Sequence, residues 1–307
     1  MNYSLTHARH DPAHCLAPGL FRSLKRGDRK RCKLDVAYDY GDGKRIEFSG
    51  PEPLGADDLR VLQGLVAMAA ISGEDGRALM LAKDVQSTAG QQMRVALDLK
   101  WEAVQQDAMV VRGSYRALAR EIGYANPDDT KLVRECIERL WKVSVIVQNG
   151  GRRQGFRILS DYASDEKDGK LFVALNPRLA EAVVSERPHA RICMTEVRGL
   201  KTDPARLMHQ RLCGWIDPGK SGKAGLDTLR GYVWPEPTDN PNTLKTRRQT
   251  ARRALGELVA VGWAVDEYAT DKWELKRPKE SSKPHAPDAP APELLPPPGQ
   301  IADQICC

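Results

Sequence analysis

One order of elements occurs twice in this chain, and it restricts the fold more than any other feature of the sequence. From Ser114, SYRALAREIG has the spacing of a short amphipathic helix, with Leu118 and Ile122 four apart and Gly123 as its stop. The turn YANPDD leads to a longer helix with the apolar stripe Leu132, Val133, Cys136, Ile137 and Leu140. VSVIVQ, NGGRRQG and FRIL then read as strand, turn and returning strand. Helix, turn, helix and hairpin is the winged helix-turn-helix order. It returns after the helical segment DPARLMHQRLCGWI, which has Asp203 at its cap and Pro204 in its first turn. LDTLRGYVW is the short helix, PEPTDNP the turn and Asn242 to Val261 the long helix, and WAVDEY and KWELK are the wing strands. Leu118 and Ile122 fall on Leu229 and Val233 at an offset of 111, whereas Ile137, Leu140, Val143 and Val145 fall on Leu255, Leu258, Val261 and Trp263 at an offset of 118. The difference lies in the turn, where insertions are tolerated. Side chains are poorly matched, so what repeats is architecture. The expected fold class is α+β, with two tandem winged-helix domains and a disordered Pro-rich C-terminal tail.

The chain's 307 residues suit two domains. Residues 1–33 read as a basic N-terminal arm, 34–194 as the first winged-helix domain, 195–278 as the second and 279–307 as the tail. In the arm, residues 1–21 look weakly folded, and Phe21 to Lys33 holds seven Lys or Arg against one Asp. LDVAYDY and RIEFSG alternate in polarity around Gly41-Asp42-Gly43-Lys44, which predicts a hairpin. Asp57 or Asp58 then caps a helix carrying Leu59, Leu62, Leu65, Val66 and Ala69. Residues 73–112 mix glycine with irregular polarity and give no clear pattern. From Pro278 onward eight residues are proline, too many for a segment that must bury surface to offset its chain entropy.

Bulk charge decides little, because Lys and Arg outnumber Asp and Glu by only 47 to 41. The seven cysteines form no Cys-x-x-Cys pair, which fits reduced thiols in a bacterial cytoplasm. No secretory leader is legible, because His7, Arg9, His10, Asp11 and His14 interrupt the N-terminus. The largely apolar stretch Leu59 to Ile71 is too short to span a bilayer.

The position of the charge is more telling. Between Asp128 and Leu140, Lys131, Arg134 and Arg139 face four acids, Asp128, Asp129, Glu135 and Glu138. Between Thr243 and Arg253 stand Lys245, Arg247, Arg248, Arg252 and Arg253, with no acid. Only the second helix suits a path between two rows of phosphates. Leu244, Ala251, Leu255 and Leu258 lie within about 60° of one another at about 100° per residue and define its buried face. Asn242, Lys245, Thr246, Gln249, Arg252 and Arg253 then project the other way as base-reading side chains: Arg and Lys suit guanine, Asn and Gln adenine, and Thr a thymine methyl. Arg247 and Arg248, at the margins, are assigned to phosphates. Further backbone contacts are expected from Arg152 and Arg153 at the first wing tip, from Lys131 and Arg134, and from Lys25, Arg26, Arg29, Lys30 and Arg31 in the basic run.

Other signals read as blander features. GWIDPGKS, Gly214 to Ser221, matches the phosphate-loop pattern, but a helix precedes it and Gly222 and Gly225 break up the residues after it, whereas a phosphate loop needs a strand before and a helix after. A nucleotide switch through Lys220 is therefore the weakest alternative. His7, His10, His14 and Cys15 read as a flexible polar arm, because Pro12 breaks any shared helical face and no carboxylate shell is near. The chain has no His-x-His for a nicking nuclease, and the pairs Asp57-Asp58 and Asp128-Asp129 are explained as helix caps. No catalytic residue, metal or cofactor is expected.

Five longer segments then identify a resemblance. HDPAHCLAPGLFRSLKRGDRKR, LDVAYDYGDGKRIEFSGPEPLGADDLR, CIERLWKVSVI, YASDEKDGKLFVALNP and MHQRLCGWIDPGKSGKAGLDTLRGYVWP are similar to the RepC replication initiators of IncQ-type plasmids, from about Ser4 to Pro278. The tail and Cys306-Cys307 depart from that pattern. The resemblance implies double-stranded DNA as partner, at directly repeated sites (iterons) of a plasmid origin. It also implies opening of the duplex for a plasmid helicase and primase, and exchange between monomer and dimer with the first domain at the dimer interface. A transcriptional repressor of the same fold is the alternative that shares every residue-level feature.

Overall fold

The computed structural model describes residues 3–41, 43–70, 78–81, 108–128, 130–165 and 169–279. The expectations for residues 280–307 and most of 73–112 lie outside them. The elements run β1 (His7–His10), α1 (Pro12–Leu16), α2 (Asp28–Arg31), β2 (Leu34–Asp39), β3 (Lys44–Gly50), α3 (Ala56–Ala70), β4 (Ala78–Leu81) and β5 (Ala108–Ser114). Next come α4 (Tyr115–Glu121), α5 (Lys131–Trp141), β6 (Ser144–Asn149), β7 (Arg152–Arg157), β8 (Leu159–Asp165), β9 (Lys170–Leu175), α6 (Pro177–Val183) and β10 (Ala190–Cys193). The chain continues through α7 (Met194–Gly199), α8 (Asp203–Trp215), β11 (Ser221–Gly225), α9 (Leu226–Gly231), α10 (Pro241–Ala260), β12 (Ala264–Ala269) and β13 (Lys272–Lys276). The fold is mixed α/β, and every strand pairing between these elements is antiparallel.

The repeated order is present in both halves: α4, α5 and the β6–β7 hairpin, then α9, α10 and the β12–β13 hairpin. Neither hairpin stands alone. The expected β2–β3 hairpin joins the first to give the sheet β2-β3-β6-β7, with Ile46 opposite Val147 and Phe48 opposite Val145. β11 adds a third strand to the second hairpin, in the order β11-β13-β12. A further sheet, β4-β5-β9-β8, completes the first half.

α3 lies at the centre. Thirteen of its fifteen residues are buried, so it is apolar nearly all round, as an enclosed helix must be. Gly64 is where α4 crosses it: a Cβ there would lie 2.4 Å from Ile122 Cγ2 and 2.7 Å from Leu118 Cδ1. The buried Asp58 is more than the cap it was expected to be. It accepts from the Gly55 N–H at 2.8 Å and from Arg139 Nε at 2.8 Å, and also takes Arg29 Nη1 at 3.1 Å. One carboxylate thus fixes the start of α3, the last turn of α5 and the basic run near α2. Arg139 is an inward-facing residue.

The N-terminus is not an arm. β1 pairs with β10, placing His7 opposite Cys193 and His10 opposite Ala190, and Leu5, Ala8, Ala13, Cys15 and Leu20 enter the core. Asp11 caps α1 by accepting from the Ala13 N–H at 2.7 Å, and it pairs with Arg178 at 2.8 Å. His10 and His14 are buried, with His14 edge-on to Phe48. Burial, reinforced by neighbouring His14, pushes His10 down to about 3, so it is neutral at physiological pH and packs as a hydrophobic ring. Counting those histidines as polar is what hid this segment. The hydrophobic core is continuous between the halves, and a buried Gln63–Gln210 hydrogen bond of 2.6 Å crosses from α3 to α8. The expected border at 194/195 falls after the first residue of α7, inside that shared core.

Candidate nucleic-acid interface

Helix α10 starts at Pro241, one residue before the expected Asn242, because the end of the expected turn supplies its cap. Asn240 caps it by accepting from the N–H groups of Asn242 and Thr243 at 3.0 and 3.1 Å, and Pro241 occupies the first turn. At 20 residues it is about 30 Å long. Its buried residues, Ala251, Ala254, Leu255 and Leu258, all lie in the second half. The first half therefore projects from the core, with Leu244 only half-buried. All six side chains expected to read bases, Asn242, Lys245, Thr246, Gln249, Arg252 and Arg253, are exposed, and Arg247 and Arg248 are half-buried at the margins.

Three of the four arginines are already held by their own molecule. Arg248 makes a two-pronged pair with Asp227 of α9, at 3.0 and 2.5 Å, and that guanidinium holds the Asp227 carboxyl below the usual carboxylate range. Arg247 donates to the Glu236 carbonyl at 2.9 Å with its guanidinium 5.7 Å from the centre of the Trp234 ring. Arg252 pairs with Asp271 in the β12–β13 turn at 2.5 Å. Asp271 has φ +57° and its carbonyl accepts from the Leu226 N–H, so turn, α9 and α10 brace one another. Arg253 makes no such bond among the described residues, and neither do the side chains of Lys245 and Gln249. Together with the side chains of Asn242 and Thr246, which also make none among the described residues, these form the uncommitted part of the face. Exposed ion pairs such as Arg252–Asp271 contribute about 1 kcal/mol or less, so an incoming duplex can exchange them.

The basic run before β2 is docked on the turn that leads into this helix. The Ser23 N–H donates to the Val233 carbonyl at 2.9 Å, and Arg22 pairs with Glu236. Lys25 thereby shares an open groove with Trp234, Asn242, Thr243, Thr246 and Arg247. Lys25, Arg26, Lys30 and Arg31 are exposed. Arg29 is not free for phosphate, because it donates to the Pro53 carbonyl and to Asp58, both at 3.1 Å.

In the first half, Lys131 is exposed at the start of α5, but Arg134 is half-buried with its guanidinium 5.2 Å from the Tyr115 ring centre. That corrects the placement of Arg134 as a backbone contact. Asp128 pairs with Arg116 at 2.7 Å, while Asp129 lies outside the described residues. Arg152 and Arg153 are exposed at the start of β7, and Arg153 crosses the sheet to Glu47 at 2.9 Å.

One cation was overlooked. Lys272 opens β13 opposite Ala269, as Arg152 opens β7 opposite Asn149, and it too is exposed. Carrying the Arg152 reading across to the second hairpin would have found it. Lys220 follows a helix and precedes strand β11, the reverse of the strand–loop–helix that a phosphate cradle requires. Among the described residues, no helix is long and apolar enough to cross a membrane.

The model of the replication protein C (RepC) family matches residues 2–279. Among solved structures the chain is similar to the Pi initiator protein in complex with iteron DNA, at 12% identity and a TM-score of 0.41, over 56% of this chain and 82% of that one. No curated protein matches the sequence.

Proposed function

The chain belongs to the RepC replication protein family, and from that premise we propose that it is a plasmid replication initiator built from two winged-helix units, binding repeated duplex sites in its origin. The carrying observation is the exposed, acid-free face of α10, held outward by an apolar second half and by braces to α9 and the wing turn. In this reading α10 enters a major groove. Lys245, Gln249 and Arg253 read base edges there, and Arg252 joins them once it leaves Asp271. Lys25, which shares a groove with α10, and the exposed Lys272 meet phosphates, as do Arg26, Lys30 and Arg31. Arg152 and Arg153 meet the neighbouring backbone.

Copies bound to successive repeats strain the adjoining duplex until it melts, and a helicase and primase load there. Binding free energy drives this without hydrolysis, so the chain needs no catalytic group or cofactor. The surface of α5 is left for a second copy of the chain. A nuclease footprint on the cognate origin, combined with permanganate reactivity of unpaired thymines, tests the reading. Repeated protection with permanganate-reactive thymines beside it is the expected result. Protection without melting favours a repressor instead.

A further inference from the structure

We infer that Glu196, His209 and Cys213 form a binding site for one soft divalent cation, with zinc the best chemical match. Glu196 lies on α7, and His209 and Cys213 lie one helical turn apart on the same face of α8. His209 Nε2 is 2.6 Å from Glu196 Oε2 and 3.4 Å from Cys213 Sγ, and all three ligand atoms lie within 4.8 Å of one another. A tetrahedral zinc ion with bonds of about 2.0–2.3 Å separates neighbouring donors by about 3.3–3.6 Å. The nitrogen–sulfur edge already has that length, and the carboxylate needs to withdraw by less than about 1 Å.

The donor set favours zinc over magnesium or calcium, which take oxygen ligands. A carboxylate, a thiolate and a neutral imidazole also offset the two positive charges. His209 is fully buried and Cys213 is 3% exposed, so this is an interior cluster. A hydrogen-bonded second layer is present as well. Trp263 Nε1 donates to Glu196 Oε2 at 3.0 Å, with its ring edge-on to His209. Such outer partners orient metal-binding carboxylates. Three protein donors leave a fourth position for water. No paired-cysteine spacing advertises the site, because its two helical ligands are four apart and the third comes from another helix.

Trp263 follows α10 and leads into β12, so the cluster ties α7 and α8 to the frame that holds the candidate DNA helix. The bound ion would stiffen that joint whether or not DNA is the ligand.

Cobalt is the probe, using the full chain with Cys32, Cys193, Cys306 and Cys307 changed to Ser and metal removed by chelation. One Co²⁺ per chain should bind, with tetrahedral visible bands and a near-ultraviolet thiolate-to-cobalt band, all displaced by one equivalent of Zn²⁺. Cys213→Ser should remove the thiolate band and weaken Zn²⁺ binding by about 100-fold or more, and Trp263→Phe should weaken it about tenfold. If Cys213→Ser fails to fold, the near-isosteric Glu196→Gln decides, and it should abolish the rise in Tm that Zn²⁺ gives the parent. Absence of a thiolate band, its survival in Cys213→Ser, or an undiminished Zn²⁺-dependent Tm rise in Glu196→Gln would overturn the site and leave a metal-free polar cluster.

Discussion

Helices α5 and α10 occupy the same place in the repeated order, yet their arginines do opposite things. In α5, Arg139 points inward to Asp58 and Arg134 lies against Tyr115, leaving Lys131 as that helix's exposed cation. In α10 the cations stay outside, either uncommitted like Lys245 and Arg253 or held by pairs that water already weakens. Charge in the first helix is therefore structural and charge in the second is available. The same local order is pinned from within in one half and leaves its charge exposed in the other. What separates them is the buried carboxylate of Asp58, for which none of the buried groups around α10 is a counterpart.

That contrast can be attacked from both sides. The largest effect should come from Asp58→Asn, which strands Arg139 in the interior. Chemical denaturation should show a loss of about 3–5 kcal/mol of stability, and an unchanged midpoint would mean that α5 is not pinned from within. Next is Arg253→Ala, which should weaken binding to the cognate repeat by about 1–3 kcal/mol while leaving random duplex nearly untouched. Equal losses on both DNAs, by fluorescence anisotropy, would move Arg253 from base reading to phosphate contact. A smaller change is expected from Asp271→Asn. Asparagine tolerates the left-handed backbone at that position, so releasing Arg252 and removing a negative charge should tighten binding by up to about 1 kcal/mol. Weaker binding would show that Arg252 works from within its ion pair. Smallest are the single surface lysines: Lys272→Ala should lower the salt slope of binding by about 1, and Lys131→Ala by less. The reverse order would place the first half on the duplex.

The sequence made much of this visible because α10 obeys local rules throughout. Its apolar stripe and charged face agree, so helix, orientation and exposed residues were readable, although its cap Asn240 and first-turn Pro241 were read as part of the turn. Legibility failed where tertiary contacts reassign a side chain. His10 and His14 count as polar in any pattern, yet they pack in the core beside a strand whose partner, β10, is about 180 residues away. Arg29 and Arg139 resemble surface cations until Asp58, remote in sequence from both, is brought between them. β11 was hidden by its composition, since SGKAG holds two glycines and no β-branched residue, and it is a strand only because β13 pairs with it. Lys25 reached the candidate interface through backbone bonding at Ser23, which no charge count registers.

Photo-crosslinking from single positions tests the central claim most directly. A photoreactive residue at position 249 on α10 and, separately, at position 135 on α5 would be carried by otherwise unchanged chains mixed with a duplex bearing the cognate repeat. The account predicts a base-specific adduct from 249, lost on random DNA, and none from 135. Adducts from 135 with none from 249 would contradict it.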